Sequence, residues 1–444
     1  MPKAIDLFAG PGGLSMGLSM AGFDLVGAVE WDPDAGRTYR HNIGDHVYVR
    51  DLKGFPPEEM EECLVDDEII EGKKDIELIS GGPPCPGFST IGRSKISNLI
   101  LSGQWEGSDH RHRFIDDPRN QLFREFVDYV RHFLPSHFLM ENVSGLVSYR
   151  SPEELPMVLV ITQEFEALGY RVKHRILNAS EYGVPQSRKR IFFLGWKEGT
   201  EEPHWPEKSV EVVSASDAID DLPSVSPDTG KPSSDSLTPL SSIRGSSVKK
   251  SFLRWARKQE TPTGNRTSRC ACTLHETRAV NPRDRGIFPL IESGDEGERT
   301  LYKDVWPSKR EEIEELLPEG YSMVCEEDGK WYVIGERWGK TCKWGWYDPS
   351  KFGDKMRRIR GGSPAPTVVA HLAKDGYMFI HPYEHRTITV REAARFQSFP
   401  DSFDFSAGGS NSITSQFRQV GNAVPPLLAK ILGESIKEAI DRDP

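Results

Sequence analysis

The chain lacks an apolar run long enough to cross a bilayer, and Met1-Pro2-Lys3 leads straight into Ala4-Ile5-Asp6-Leu7-Phe8, which reads as a first strand and not as a secretory leader. Cysteine is scarce. The six present (Cys63, Cys85, Cys270, Cys272, Cys325, Cys342) lie too far apart for a disulfide framework in 444 residues, so a reducing cytoplasm is the expected compartment. Paired CxxC motifs are missing too: Cys270-x-Cys272 with His275 has no second pair to complete a zinc site, and no metal is expected. There are no internal repeats. Positive charge is in deficit, with a net charge of −11, which on its face argues against a polyanionic partner.

The distribution of charge says otherwise. Acidic residues cluster in Glu58–Glu71, Glu292–Glu298 and Glu311–Glu315, whereas Leu240–Leu290 holds eleven Lys/Arg against three Asp/Glu, a local balance of +8. Lys355–Arg360 adds a second basic knot. A polyanion responds to a local basic face more than to the total. With 37% hydrophobic and 28% charged residues, the chain is globular and large enough for two domains.

Short apolar runs alternate with helical spacing through the first 197 residues, the pattern of a parallel sheet with crossover helices. Strands are expected at Ala4–Phe8, Leu25–Glu30, Ile76–Ser80, His137–Met140, Tyr170–Leu177 and Arg190–Gly195, and helices at Leu14–Ala21, Gln121–Phe133, Leu155–Leu168 and Pro426–Ile440. Beyond Trp196 the texture becomes rich in Pro, Ser, Asp and Gly, then basic and rich in Trp. The expected division is residues 1–197 with 420–444 as one domain and 198–419 as a smaller, irregular one.

Pro83-Pro84-Cys85-Pro86-Gly87-Phe88-Ser89 is the most informative stretch. It follows the apolar run Ile76–Ile79 and fixes one thiol in a stiff turn at a strand's C-terminal edge, where open α/β sheets put their chemistry. Asp6-Leu7-Phe8-Ala9-Gly10-Pro11-Gly12-Gly13 follows the first strand. It departs from G-x-G-x-x-G and suits a carboxylate better than a pyrophosphate, which disfavours a nicotinamide enzyme. Glu30, twenty residues past Gly10, stands where an acidic side chain takes ribose hydroxyls, Trp31 can stack on an adenine, and Asp51 can accept from an exocyclic amine. Together these describe a nucleoside with an amino-acid tail, S-adenosylmethionine.

Further segments carry a resemblance. Glu141-Asn142-Val143, Gln186-Ser187-Arg188-Lys189-Arg190, Arg391–Pro400 and Gly421-Asn422-Ala423-Val424-Pro425-Pro426, taken in order with the glycine loop and the Pro-Cys turn, resemble the DNA cytosine-5 methyltransferases of the compact restriction–modification type. The resemblance covers Ala4–Gly195 and about 361–440. It implies a Rossmann-like S-adenosylmethionine-dependent methyltransferase sheet with a target recognition region at about 198–356. It also implies methyl transfer to carbon 5 of cytosine in double-stranded DNA, on a flipped base, by a cytoplasmic enzyme expected to be a monomer and paired with a restriction endonuclease. Cys85 matches the family nucleophile. Glu141 matches the carboxyl that meets ring nitrogen 3 and the exocyclic amine, a role that needs a proton and hence shielding. Arg190 matches the arginine on the cytosine carbonyl oxygen, with Arg188 a weaker companion suited to phosphate. The family's cofactor positions fall on Phe8, Gly10, Gly12, Glu30, Trp31, Asp51, Pro84, Leu122 and Asn422.

Thr90–Asp116 matches the family's closing loop, where Arg93, Lys95, Arg111 and Arg113 can meet phosphates. Pro86 departs from the glutamine that many relatives carry there, which removes one side-chain contact to DNA. Asn265, Arg266, Arg269, Arg278 and Arg283 are candidate base readers. A transfer-RNA enzyme of the same family would have a shorter middle segment, and a silent DNA-binding module would have lost Cys85, Glu141 or the glycine loop, all of which are intact.

Overall fold

Seven strands build the central sheet in the order β3-β2-β1-β4-β5-β8-β6 in a computed structural model that describes residues 1–84, 122–151, 155–209, 211–266, 271–295, 298–337, 339–374 and 376–443. The strands are β1 (Lys3–Leu7), β2 (Asp24–Glu30), β3 (Val47–Val49), β4 (Ile76–Gly81), β5 (His137–Val143), β6 (Tyr170–Asn178) and β8 (Lys189–Lys197). β1 lies at the centre and is buried from Ala4 onward, apolar but for Asp6, as expected of a strand covered on both faces by helices. The pairs β1/β2, β1/β4, β2/β3 and β4/β5 are parallel. The expectation of a wholly parallel sheet is corrected at one edge, where β8 runs antiparallel to both β5 and β6. Only ten residues separate the end of β6 at Asn178 from the start of β8 at Lys189, a connection short enough for antiparallel neighbours, and the exposed Arg171, His174 and Arg175 mark β6 as the solvated edge.

The order of the strands brings the chain's first and last motifs together. The final helix, Pro426–Ile440, packs on the first, Gly13–Met20. Small residues permit the close crossing: a Cβ on Gly17 would stand 2.3 Å from the Ala429 Cβ. Gly13 is under the same constraint, since a Cβ there would lie 2.3 Å from the Val424 carbonyl. The third glycine of the loop is therefore a packing residue, and it seats the glycine loop against the Gly421–Pro426 motif.

The middle segment is more ordered than its composition suggests. Three antiparallel strands, β9 (Tyr321–Cys325), β10 (Trp331–Arg337) and β11 (Lys340–Gly345), pack over a core that includes Ile287, Phe288, Tyr302, Met323, Val333 and Ile380. A two-residue strand, β12 (Ala365–Pro366), pairs with β7 (Gln186–Ser187) and ties this region to the site-bearing edge of the main sheet. The helix Ile413–Asn422 runs through the expected 419/420 boundary, and one apolar cluster joins Met16 and Tyr39 to Leu253, Phe396 and Phe417.

The Arg391–Pro400 motif turns inward. The helix Val390–Phe396 starts on a capping box in which Thr389 and Glu392 bond each other's backbone N–H. Arg391 donates to the carbonyls of Thr273, Pro400 and Asp401. Arg395 joins Asp401 to Asp221, which also holds Arg257, so four charged groups neutralise each other inside the core. Burial opposes ionisation of Glu392, yet Arg386 beside it holds its carboxyl well below the usual carboxylate range. Among the described residues, no helix is long and apolar enough to cross a membrane.

Candidate active site

A cleft of about 460 Å³ opens at the C-terminal ends of β1, β2, β4 and β5. Phe8, Gly10, Glu30, Trp31, Pro84, Glu141, Arg188, Arg190 and Asn422, expected at the site from the sequence, all line it. Asp6, fully buried on β1, accepts from the hydroxyls of Ser15 (2.5 Å) and Ser80 (3.1 Å), and burial pushes its carboxyl up to about 6. The chain leaves β1 with Phe8 at φ 57°, and Gly10 follows at φ 56°, so the backbone turns sharply toward Glu30. A Cβ on Gly10 would meet nothing within 4 Å, which leaves open space on the cleft side.

Glu30 closes β2 with both oxygens engaged by backbone: Oε2 accepts from Gly10 N and Oε1 from Asp32 N, each at 2.8 Å. Burial raises its carboxyl to about 7 in spite of these two donors. Trp31 beside it is 72% exposed at the cleft's lip. Gly12 stands behind the loop, where a Cβ would lie 2.6 Å from Ile43, and holds it against the helix Pro33–Asn42. Asp51 is exposed and caps Lys53 N at 3.2 Å; neither it nor the buried Leu122 lines the cleft.

On the opposite wall β5 and β8 carry Glu141 and Arg190 on neighbouring strands, and Arg190 Nε lies 3.0 Å from Glu141 Oε1. Glu141 is thus shielded but not isolated. Gly82 makes room for it, since a Cβ there would stand 3.2 Å from Glu141 Oε2. Asn142 reaches across to donate to the Pro83 carbonyl at 3.1 Å and ties the end of β5 to the turn preceding Cys85. Cys85 itself, like the Thr90–Asp116 loop with Arg93, Lys95, Arg111 and Arg113, lies outside the described residues, as does Arg269.

Arg188 does not face outward as a phosphate contact would. It is 2% exposed and donates to the carbonyls of Val368 (2.9 Å) and Gly421 (3.3 Å), bracing the strand that carries Arg190. Gln186 adds to this brace by donating to Gln397 Oε1 at 2.8 Å and accepting from Val368 N at 2.7 Å.

The sequence signature of the family described as C-5 cytosine-specific DNA methylase matches residues 2–438. The chain belongs to that family. The methylase is 33% identical over 478 residues to the type II methyltransferase M.AgeI of Thalassovita gelatinovora, covering 99% of this chain and all of that one. It is 32% identical to M.DdeI of Desulfomicrobium norvegicum, with 97% and 88% covered. It is also 28% identical to DNA (cytosine-5)-methyltransferase 1A of Oryza sativa subsp. japonica, where 98% of this chain matches 28% of the rice protein. A crystal structure of a putative DNA modification methyltransferase encoded within prophage Cp (E.coli) superposes with a TM-score of 0.59 at 23% identity, covering both chains in full, and shares the fold. The enzyme is a DNA (cytosine-5-)-methyltransferase.

The methylase spends most of its candidate base readers on itself. Arg283 is buried, paired with Asp284 at 2.9 Å and stacked 3.7 Å over the Tyr347 ring. Arg278 donates to the Leu372 and Ala373 carbonyls and lies over Phe417. Asn265 donates to the His41 carbonyl at 2.8 Å. Arg266, with its side chain 74% exposed, projects into solvent beside Glu260 at 2.8 Å. His275 has both ring nitrogens engaged, by Thr389 Oγ1 and the Pro223 carbonyl, so it is a core histidine.

Gly82, Asn142 and Arg418 are among the site residues to which the sequence assigned no role. Asn142 lies inside a motif that was read, without a role given to it, and Gly82 directly precedes the Pro83-Pro84-Cys85 stretch, so proximity was the available signal. Arg418, which lines the cleft and pairs with Asp32 at 2.8 Å, sits on the helix that ends in Gly421-Asn422, just upstream of that motif.

Proposed function

We propose that the methylase transfers a methyl group from S-adenosylmethionine to carbon 5 of a cytosine within a specific duplex DNA sequence, through a covalent Cys85 adduct, as the modification half of a restriction–modification pair. The observation that carries this reading is the Arg190–Glu141 pair at 3.0 Å, in the same cleft as Glu30 and the glycine loop and beside the turn that leads into Cys85.

The residues around the loop fit the donor. The Glu30 carboxylate has lone pairs left for the ribose hydroxyls, the exposed Trp31 ring offers a stacking face, and the open space at Gly10 admits an amino-acid tail near the N-terminus of the first helix. Bound there, S-adenosylmethionine supplies an electrophilic methyl group.

Cytosine presents its carbonyl oxygen, ring nitrogen 3 and exocyclic amine in a row. Arg190 donates to the oxygen, and Glu141 meets the nitrogen and the amine. The Cys85 thiolate adds to carbon 6, and Arg190 and Glu141 stabilise the charge that moves onto the far side of the ring. Carbon 5 then acts as the nucleophile toward the methyl. Loss of the carbon 5 proton to a base, with expulsion of the thiolate, restores the aromatic ring and frees the enzyme. A base stacked in a duplex is out of reach of this cleft, so the cytosine is flipped out.

Cys85→Ala is the test. The variant is expected to lose transfer of tritiated methyl to DNA and to bind S-adenosylmethionine like wild type by calorimetry, since sulfur acts on the base alone. Substantial turnover by the variant would refute the covalent route. Bisulfite sequencing of DNA from expressing cells reads the target, and absence of converted-resistant cytosines would refute the whole reading.

A further inference from the structure

Beside the catalytic cleft lies a second cavity of about 400 Å³ on the middle segment, walled by Arg299, Arg357, Arg358 and Arg360 with Ser363 and Thr367. Its place is fixed by β12: Thr367 donates to the Ser187 carbonyl at 2.7 Å, and Val368 accepts from Arg188, so the cavity adjoins the strand that leads to Arg190.

Arg358 is structural. It is buried and donates to the carbonyls of Phe288, Ile291, His381 and Glu384. The other three guanidiniums are not neutralised in this way. Arg357 donates to the Asp354 carbonyl and has the Asp354 carboxylate at 3.5 Å, a loose pair. Among the described residues, Arg299 and Arg360 make no ion pair: Arg360 donates to the Ser293 carbonyl at 3.2 Å, and Arg299 to the Arg358 carbonyl at 3.3 Å. The Arg299 Nε is buried without a hydrogen-bond partner. Asp295 offsets part of the charge at Arg299 and accepts from Gly361 N at 2.7 Å and the Ser293 hydroxyl at 3.0 Å, with no ion pair to any of the three arginines among the described residues. Three like charges around one cavity repel, and burial with the neighbouring Arg360 and Arg357 pushes the Arg299 guanidinium below the usual arginine range. An anion with several acceptor oxygens would satisfy all three.

We propose that the Arg299–Arg357–Arg360 cavity binds one phosphodiester group of the DNA backbone and so registers the duplex relative to the catalytic cleft. This rests on the reading that duplex DNA is the substrate. The contact carries no sequence information and acts on every duplex alike.

Arg360→Gln is the variant of choice, because the side chain is exposed and its loss spares the core; Arg299→Gln is the second. Binding of cognate and unrelated duplexes is measured by fluorescence anisotropy across a salt series. The slope of log affinity against log salt should fall by about 0.9 in magnitude for each variant, equally on both duplexes, with S-adenosylmethionine affinity and thermal melting unchanged for Arg360→Gln. A single methylphosphonate walked along the DNA strand should weaken wild-type binding at one position where Arg360→Gln is indifferent. An unchanged slope, or a loss confined to the cognate duplex, overturns the clamp while wild-type methylation of cytosine still stands. If the wild-type enzyme does not methylate duplex DNA at all, the functional reading itself fails.

Discussion

Glu30→Gln tests the cofactor end of the cleft most sharply, because glutamine keeps the shape and removes one acceptor. In the wild type each carboxylate oxygen already accepts one backbone N–H, from Gly10 and Asp32 at 2.8 Å, and keeps lone pairs for the ribose. Glutamine must turn its NH₂ toward one of those backbone donors, leaving it unpaired, and offers a single oxygen to the sugar. Losing one charge-assisted hydrogen bond costs about 1.5–3 kcal/mol, so the dissociation constant for S-adenosylmethionine should rise about 10–150-fold. The pH dependence supplies a second signature. With the carboxyl at about 7, wild-type affinity should weaken as pH falls below neutrality, approaching tenfold per unit, whereas the variant stays flat.

Stability moves the other way. A carboxyl raised from 4.5 to about 7 holds its proton more tightly folded than unfolded, so its contribution is complete below pH 4.5 and is lost as pH climbs through 7. The neutral variant escapes that loss, and relative to wild type it should be more stable at alkaline than at acid pH by a difference on the order of 3 kcal/mol. Calorimetry of cofactor binding and urea unfolding, both followed from about pH 5 to about pH 8, check these two outcomes. Wild-type affinity that is level across this range, with the variant binding equally well, would refute the assignment of Glu30 to the ribose.

Gly82→Ala places a methyl 3.2 Å from Glu141 Oε2 and should slow single-turnover methyl transfer about 10–100-fold while calorimetric cofactor affinity is unchanged; equal rates would show that the carboxyl tolerates displacement. Asp221→Ala strands the buried Arg257 and Arg395 guanidiniums and should cost about 3–5 kcal/mol in urea unfolding, and a loss under about 1 kcal/mol would mean that Asp401 alone neutralises both.

The edge of the sheet that bears the site was legible because its residues are constrained by chemistry and by backbone together. Glycines and prolines mark where the chain leaves β1 and β4, Glu30 closes β2 at the end of its apolar run, and Glu141 follows the apolar run of β5, which continues to Val143. The final helix was read at its observed bounds, Pro426–Ile440, because Pro at its first position is a local signal. Local signals also stood at the helix Pro33–Asn42, where Asp32 caps Asp34 N at 3.0 Å and Pro33 follows, yet its polar sequence hid the periodicity. The small sheet β9–β11 escaped for a related reason. Its strands bury only Met323 and Val333 fully, so no run of buried apolar residues marks them, and the Asp328-Gly329 turn between β9 and β10 was the remaining clue.

Arginine is where composition misleads most, because counting charges does not say where they are spent. The Leu240–Leu290 window carries a balance of +8, yet Arg257 neutralises Asp221, Arg283 neutralises Asp284, Arg285 pairs with Asp228, and Arg278 caps carbonyls. Arg257 and Arg283 are buried in these contacts and present no guanidinium edge to a base, whereas reading guanine needs two parallel free donors. The open guanidiniums stand instead at Arg299 and Arg360, one of them in an acidic stretch that a charge count would dismiss. On the proposed reading, a few unpaired arginines beside the cleft suffice to hold a phosphate on a net-acidic chain, and the salt slope of Arg360→Gln is the measurement that decides it.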